Sequence, residues 1–448
     1  MATRVARAWA ALGMCAVRVP LRRHAPPLKR NQRLAMYIVI SKPKRKSVKA
    51  GVVHCMLSSC CWQRFRGCLA RHSLVSRIYD VTTGVTPRHT ASCTPPQALE
   101  PMRINPRSLS PVFTLALPER AQMRVQQRGP EGGQPWLSLH GGPGSGAGPS
   151  QFLPFAPEQR VLAPDQRGAG GSRPRGQLRG NTLAALVADL ERLRAHMGWA
   201  QWSVLGGSWG ATLALAYAAQ HPERVSQLVL RGTFDGRRST VNALFFRRPP
   251  GSARQSAGWF GRPPAPGVWH KLLQVLHFGA ITVQQRALLQ QWQTLERQAL
   301  VRGMSRAHRA ASTPTERVAI HRQRRELRRA LRSSPSPMPP MSGRPSRAAW
   351  VKLRHTYRIQ AHYFAHGCFM RPGQWASLLQ ALRASGLPVD VVHGRFDAVC
   401  PTRITRHLLA QVPQACVYWS HAGHLAQEPH TLKLLRAVLH PRESQPRT

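Results

Sequence analysis

Carboxylates are what this sequence has least of. Across 448 residues there are 17 Asp and Glu against 65 Lys and Arg, a formal charge of +48. Such an imbalance ordinarily signals a nucleic-acid or anionic-surface partner. Here the excess is nearly all Arg, is spread along the chain, and comes with no RNA- or DNA-binding signature. Specific nucleic-acid recognition is therefore not expected, whereas adhesion to polyanions at low salt is. Long apolar runs are missing too. None reaches the ~18 residues of a bilayer span, so no membrane partner is expected. The nine cysteines show no paired C-x-x-C spacing, and neither a metal nor a cofactor is expected. Six of them lie in the first hundred residues and three are scattered, which suits reduced thiols in a cytoplasmic enzyme. No pattern specifies an oligomeric state.

What is present changes texture along the chain. Residues 1–110 hold five of the eight lysines, most of the cysteines and only two acids, Asp80 and Glu100. They read as a basic, disordered extension ending in the linker "TPPQALEPMRINPRSLSP" (94–111). A weak apolar run, "AWAALGMCAV" (8–17), lies among arginines, but no clean cleavage site follows it.

From about 112 the pattern becomes α/β. "QPWLSLHG" (134–141) and "QRVLAPDQRG" (159–168) read as strands ending in turns. "NTLAALVADLERLRAHMG" (181–198) is an amphipathic helix, with Asn181 expected as N-cap and Gly198 where a C-terminal glycine belongs. "WSVLGGS", "SQLVLRGTF" (226–234) and "LPVDVVHGRFD" (387–397) are further strands. Strands alternating with helices predict a mostly parallel, doubly wound sheet. The rhythm stops near 235 and resumes near 386. The expected organisation is thus a core in two parts, 111–234 and 386–448, with a helical cap over 235–385. Within the cap, 281–303 and 313–332 read as helices, and the Pro/Arg-rich stretches 247–267 and 333–347 as loops or disorder.

The stretch "SVLGGSWGATLALAYAAQHPERV" (203–225) carries the chemistry. Gly206-x-Ser208-x-Gly210 between a strand and a helix is the pattern of a nucleophile elbow, which lifts a serine clear of the sheet. A lone G-x-S-x-G is common by chance; the flanking strand and helix give it weight. A serine nucleophile needs a base and an orienting acid, in the chain order Ser, Asp/Glu, His. Only nine carboxylates lie beyond residue 208. Asp397 follows a late strand and His424 follows the next. Asp390 falls inside a strand pattern, and His421 is a rival to His424. His393, at a strand end, reads as packing. The chemistry is then acyl transfer, with the oxyanion received by the N–H of Trp209 and of Gly142 in "HGGPG" (140–144). Gly141 beside it lets the backbone approach the substrate.

Together, "LHGGPG" (139–144), "DQRGAGGS" (165–172), "GGSWGATLALAYAAQHPERVSQLVLRG" (206–232), "HGRFDAVCP" (393–401) and "AGH" (422–424) resemble the proline iminopeptidase family. These are serine peptidases of the α/β-hydrolase fold that release N-terminal proline. The resemblance covers about 115–235 and 350–440. It implies a peptide substrate with a free N-terminus, whose amine is bound by the glutamate of a Trp-x-x-Trp-Glu element. "QWQTLERQAL" (291–300) matches in part: Trp292 and Glu296 fit, and Leu295 replaces the second tryptophan. A second amine-binding glutamate, in Ile-Glu-Asn-His-Tyr-Phe, is Gln360 in "IQAHYF" (359–364). One carboxylate and an amide stabilise a buried cation less than two carboxylates do, so broader selection is expected. The family's Gly-Arg-Ser is here Gly170-Gly171-Ser172.

Three functions compete on these grounds: a serine aminopeptidase preferring N-terminal proline, an esterase or other α/β-hydrolase with lost or broadened peptide specificity, and a basic non-catalytic binding protein on a hydrolase scaffold.

Overall fold

The computed structural model describes residues 112–246, 265–310 and 346–440, Phe260, a few positions between 314 and 325, and two short strands near the N-terminus. Met1–Thr90 and Ala91–Thr448 form separate compact units. In the first, Met14–Arg18 and Tyr37–Ser41 pair antiparallel, Ala16 opposite Val39. The rest of the extension expected over 1–110, the basic helix expected over 313–332 and the Pro/Arg-rich stretches lie for the most part outside the described residues.

In the second unit eight strands form one sheet: β1 Val112–Leu117, β2 Ala121–Arg128, β3 Pro135–Leu139, β4 Arg160–Pro164, β5 Trp202–Gly207, β6 Val225–Arg231, β7 Val389–Gly394 and β8 Ala415–Ser420. Their spatial order is β8-β7-β6-β5-β3-β4-β2-β1. Pairings from β4 through β3, β5, β6 and β7 to β8 are parallel; β2 runs antiparallel to both β1 and β4. The central strands are apolar on both faces because helices cover both. On one face Leu137, Val204, Leu228 and Val391 pack with helices α1 (Leu183–His196) and α2 (Trp209–Gln220). On the other, Trp136, Leu205, Val229 and Val392 meet Leu434, Leu435 and Val438 of α9 (Pro429–Leu439).

The N-cap of α1 is Thr182, not Asn181 as the sequence suggested. Thr182 Oγ1 accepts from Ala185 N at 3.2 Å. The Asn181 amide is committed elsewhere, donating to Arg167 O and Gln177 O and accepting from Tyr363 OH at 2.8 Å. Gly198 follows the C-cap with φ +68°, the left-handed position glycine takes at low cost.

Between β6 and β7 run α3 (Arg238–Phe245), α4 (Val268–Val275), α5 (Val283–Arg309), α6 (Arg347–Ala365) and α7 (Gln374–Ser385). Thr282 and Ser346 cap α5 and α6 by accepting from N–H groups three residues on. Rings of Phe245, Trp269, Trp292, Tyr357 and Phe364 hold α3 to α6 together. α7 instead packs on α2. The last helix before β8, α8 (Thr402–Gln411), buries Ile404 and Leu408. From β3 the chain crosses to β4 on one side and then to β5 on the other, so the carboxyl ends of β3 and β5 form a topological switch point, the usual place for a ligand in such sheets.

Candidate active site

Ser208 joins β5 to α2 with φ 57° and ψ −121°, a left-handed conformation that a β-carbon tolerates poorly. The surroundings impose it. A side chain at Gly206 would collide with the Gly210 carbonyl, and one at Gly210 with the Leu139 carbonyl. The Ser208 N–H donates to Arg231 O at 2.9 Å, fixing the turn to the end of β6.

The turn after β7 brings Asp397 to the same edge. Its Oδ1 accepts from Val399 N and Cys400 N, both at 2.8 Å, and its Oδ2 from His424 Nδ1 at 2.7 Å. Burial alone would raise this carboxyl's pKa, but His424, His393 and the Cys400 N–H outweigh it and hold it below the ordinary range. His424 lies between β8 and α9. Ser208 and His424 line one cavity of about 230 Å³. The Ser208 hydroxyl turns to Cys400 Sγ at 3.9 Å, and Arg231 Nη1 stands 3.4 Å from His424 Nε2. Asp390 is held within β7, accepting from Gln227 Nε2 at 2.7 Å. The His421 N–H donates to His430 Nδ1, and neither His421 nor Asp390 lines the cavity. His393 is fully buried between Thr405 Oγ1 at 2.6 Å and Cys400 O at 2.9 Å.

The "HGGPG" loop leaves β3 opposite the elbow. A Cβ on Gly141 would stand 3.2 Å from Ser208 Cβ, so the backbone passes against the serine. Gly142 lines the cavity at φ +118°. Trp209 is the first residue of α2, so its N–H has no partner within the helix. "DQRG" holds these parts in place. Gln166 Nε2 donates to His140 O and its Oε1 accepts from the Trp209 indole, both at 2.9 Å. Gln166 N donates to His140 Nε2 at 3.1 Å, which leaves Nδ1–H to donate to Gly141 O at 2.9 Å. Arg167 pairs in bidentate fashion with Asp189 of α1.

The cavity's far wall comes from the helices between β6 and β7. Val241, Leu244, Phe245 and Phe364 make it apolar. Glu296 of α5 and Gln360 of α6 supply its polar end. Glu296 Oε2 accepts from Tyr357 OH at 2.7 Å and Oε1 from Gln360 Nε2 at 3.1 Å. Gln360 Nε2 also donates to Gly142 O at 3.1 Å, and its Oε1 is buried without a partner among the described residues. Burial raises the Glu296 pKa to about 6, against the lowering effect of Tyr357 and Gln360. Two turns further along α5, Gly303 is packed against the loops of both Asp397 and His424: a Cβ there would stand 2.8 Å from Phe396 O and 3.3 Å from Gly423 Cα.

Donor atoms of Asp397, Cys400 and His424 lie within 4.8 Å of one another, the arrangement among the described residues nearest to a metal site. Asp397 and His424 spend these atoms on each other, and burial drives the Cys400 pKa well up, keeping it a thiol rather than a thiolate ligand.

Comparison with known proteins agrees with this geometry. Residues 135–431 match the α/β hydrolase fold family. A proline iminopeptidase of Xylella fastidiosa is 31% identical over 331 residues, spanning 72% of this chain and 93% of its own length. One from Xanthomonas citri is 34% identical over 343 residues, 73% and 97% of the two chains. The chain belongs to the proline iminopeptidase family. It is a serine hydrolase of the α/β-hydrolase fold, as its motifs implied.

Within this proline iminopeptidase family the chain departs from pattern at named places, and the structure gives each a consequence. Leu295 is half-buried against the core beside Trp292, which is fully buried on Tyr357 and does not line the cavity. Gly171 opens space that the Arg124 side chain enters from β2. Arg124 pairs with Asp165 at 3.2 Å, and Asp165 in turn accepts from Ala147 N and Gly171 N. Sequence reasoning missed Arg231, Cys400, Tyr357 and Glu428 around the site. Cys400 lies in "HGRFDAVCP" and Arg231 at the end of the 206–232 stretch, so those motifs carried a signal; Tyr357 sits in a helix pattern that gave none.

Proposed function

We propose that this protein is a serine aminopeptidase that releases N-terminal residues, preferably proline, from peptides through an acyl-enzyme on Ser208. One observation carries the reading: a carboxylate, Glu296, lines the same largely apolar cavity as Ser208 and His424. Glu296 is half-buried, and a carboxylate so placed in a largely apolar cavity without a cationic partner is costly; a bound primary or secondary ammonium would compensate it. The unpartnered Gln360 Oε1 supplies a second acceptor for the same group.

In this reading the Ser208 hydroxyl rotates from Cys400 to His424 Nε2, which takes its proton as Oγ attacks the carbonyl. Asp397 fixes the Nδ1–H tautomer and stabilises the imidazolium. The N–H groups of Trp209 and Gly142 receive the oxyanion, with Gly141 leaving room for it. His424 returns the proton to the departing amine, then activates the water that releases the acyl group. The thiols of Cys368 and Cys400, both buried and unbridged, fit a cytoplasmic setting.

Hydrolysis of Pro-, Ala- and N-acetyl-Pro-arylamides tests the reading. Free proline arylamide is expected to be cleaved at least about 100-fold better than the blocked one, with Ser208→Ala lowering kcat on the order of 10⁶-fold. Equal cleavage of the blocked substrate overturns amine recognition. A second reading, a broadened esterase, is favoured by the neutral Gln360 and apolar wall; acyl esters outperforming every aminoacyl arylamide would select it.

A further inference from the structure

Two charged residues outside the proposed triad, Glu428 buried and Arg231 half-buried, converge on the main chain of His424. Glu428 is 5% exposed and begins α9. Its Oε2 accepts from Gly423 N at 2.7 Å and its Oε1 from Leu425 N at 2.9 Å, so one carboxylate grips the residues on both sides of His424. Within the same segment His424 O accepts from Arg231 Nη1 at 2.7 Å. Arg231 is the last residue of β6, and its own carbonyl accepts from Ser208 N at 2.9 Å. A single residue therefore ties the serine's turn through its backbone and the histidine's loop through its side chain. Its guanidinium also fills the space over Gly207, where a Cβ would collide with Nη2.

A guanidinium half-withdrawn from water, as Arg231 is, still loses hydration at a cost unless it is paired. Burial does lower the Arg231 pKa, while Asp397 and Glu428 act to raise it. A purely structural cation would be cheaper as an apolar side chain of similar volume. What an apolar residue cannot do is donate to the His424 carbonyl.

We infer that Arg231 and Glu428 are positioning residues for the reaction: together they set His424 at its working separation from Ser208, without touching substrate. The inference rests on the proposed Ser208–His424 chemistry and extends it to the groups that frame it. A base displaced by about 1 Å costs on the order of 100-fold in rate while leaving substrate contacts alone. The loss should therefore fall on the serine's reactivity and not on amine recognition.

The test uses the full chain carrying Arg231→Met, Arg231→Lys or Glu428→Gln. Ser208 reactivity is read by the rate of labelling with a fluorophosphonate, which needs no peptide specificity. Substrate recognition is read by KM for proline arylamide, and folding by Tm. Wild-type labelling that Ser208→Ala abolishes checks the underlying reading; its failure would remove that reading itself. Given wild-type labelling, Arg231→Met and Glu428→Gln are expected to slow labelling and kcat together by about 30- to 100-fold. KM should stay within about twofold. Arg231→Lys keeps a donor and should recover part of the rate. Folded variants that label at the wild-type rate, or that lose only KM, overturn the inference. Glu428→Gln preserves shape and exchanges one acceptor oxygen for a donor facing an N–H. It therefore decides the matter even if Arg231→Met does not fold.

Discussion

In the proposed reading, Glu296 alone sets both recognition and its pH dependence. Its folded pKa, about 6, lies above the ordinary carboxylate value because burial disfavours the charge. As pH falls through 6 the carboxylate is neutralised, so KM for free-amine substrates should rise while esters lacking an amine are unaffected. The stability linkage runs the same way. A raised carboxyl pKa contributes stability below the unfolded value, about 4.3, that is lost as pH rises through 6. Glu296→Gln should therefore raise the Tm of the free enzyme at pH 8, change it little at pH 4, and remove the preference for unblocked substrates. A Tm shift equal at both pH values would contradict this. Gln360→Glu would place a second carboxyl within reach of the first, since the amide nitrogen stands 3.1 Å from Glu296 Oε1. It should sharpen discrimination between free and N-acetylated proline arylamides, measured as the ratio of kcat/KM.

Among the elements, α5 carries the clearest prediction. Ala is favoured over Gly in a helix by about 1 kcal/mol, so Gly303→Ala would ordinarily stabilise. Here the new methyl meets a backbone oxygen at 2.8 Å, belonging to the loop beside Asp397. Calorimetry should show no gain in Tm, and kcat should fall about tenfold as both loops are displaced. The elements also show what could be read in advance. Strands β3 to β7 announced themselves because strands covered on both faces are continuous apolar runs. β1 and β2 did not: "VFTLAL" and "AQMRVQQR" alternate apolar and polar residues at an edge and carry no motif. Ser208, Asp397 and His424 were legible because turn glycines and chain order mark them. The grip on His424 was not, because Arg231 and Glu428 act through main-chain atoms that any residue would present. Asn181 misled for a related reason: the polarity that makes an N-cap was spent on Tyr363, a partner 182 residues away.

At the scale of the molecule, every residue of the proposed site, its positioning residues included, lies between His140 and Glu428, inside the Ala91–Thr448 unit. Deleting residues 1–90 should leave kcat/KM within about twofold and Tm within a few degrees, since Met1–Thr90 makes a separate unit. A folded truncation without activity would refute this. The charge of +48 belongs to the chain as a whole. Retention on a polyanionic resin should vanish as salt rises, equally for wild type and Ser208→Ala. Finally, Glu296 and Gly303 stand two turns apart on one helix, the first in the cavity wall where the proposed reading seats the amine and the second wedged between two loops. Such a helix is a lever. An N-terminal residue too bulky for the cavity cannot be accommodated there without tilting the far end. Poor substrates should thus betray themselves in slow turnover once bound, more than in weak binding, a distinction that single-turnover kinetics across a series of aminoacyl arylamides would resolve.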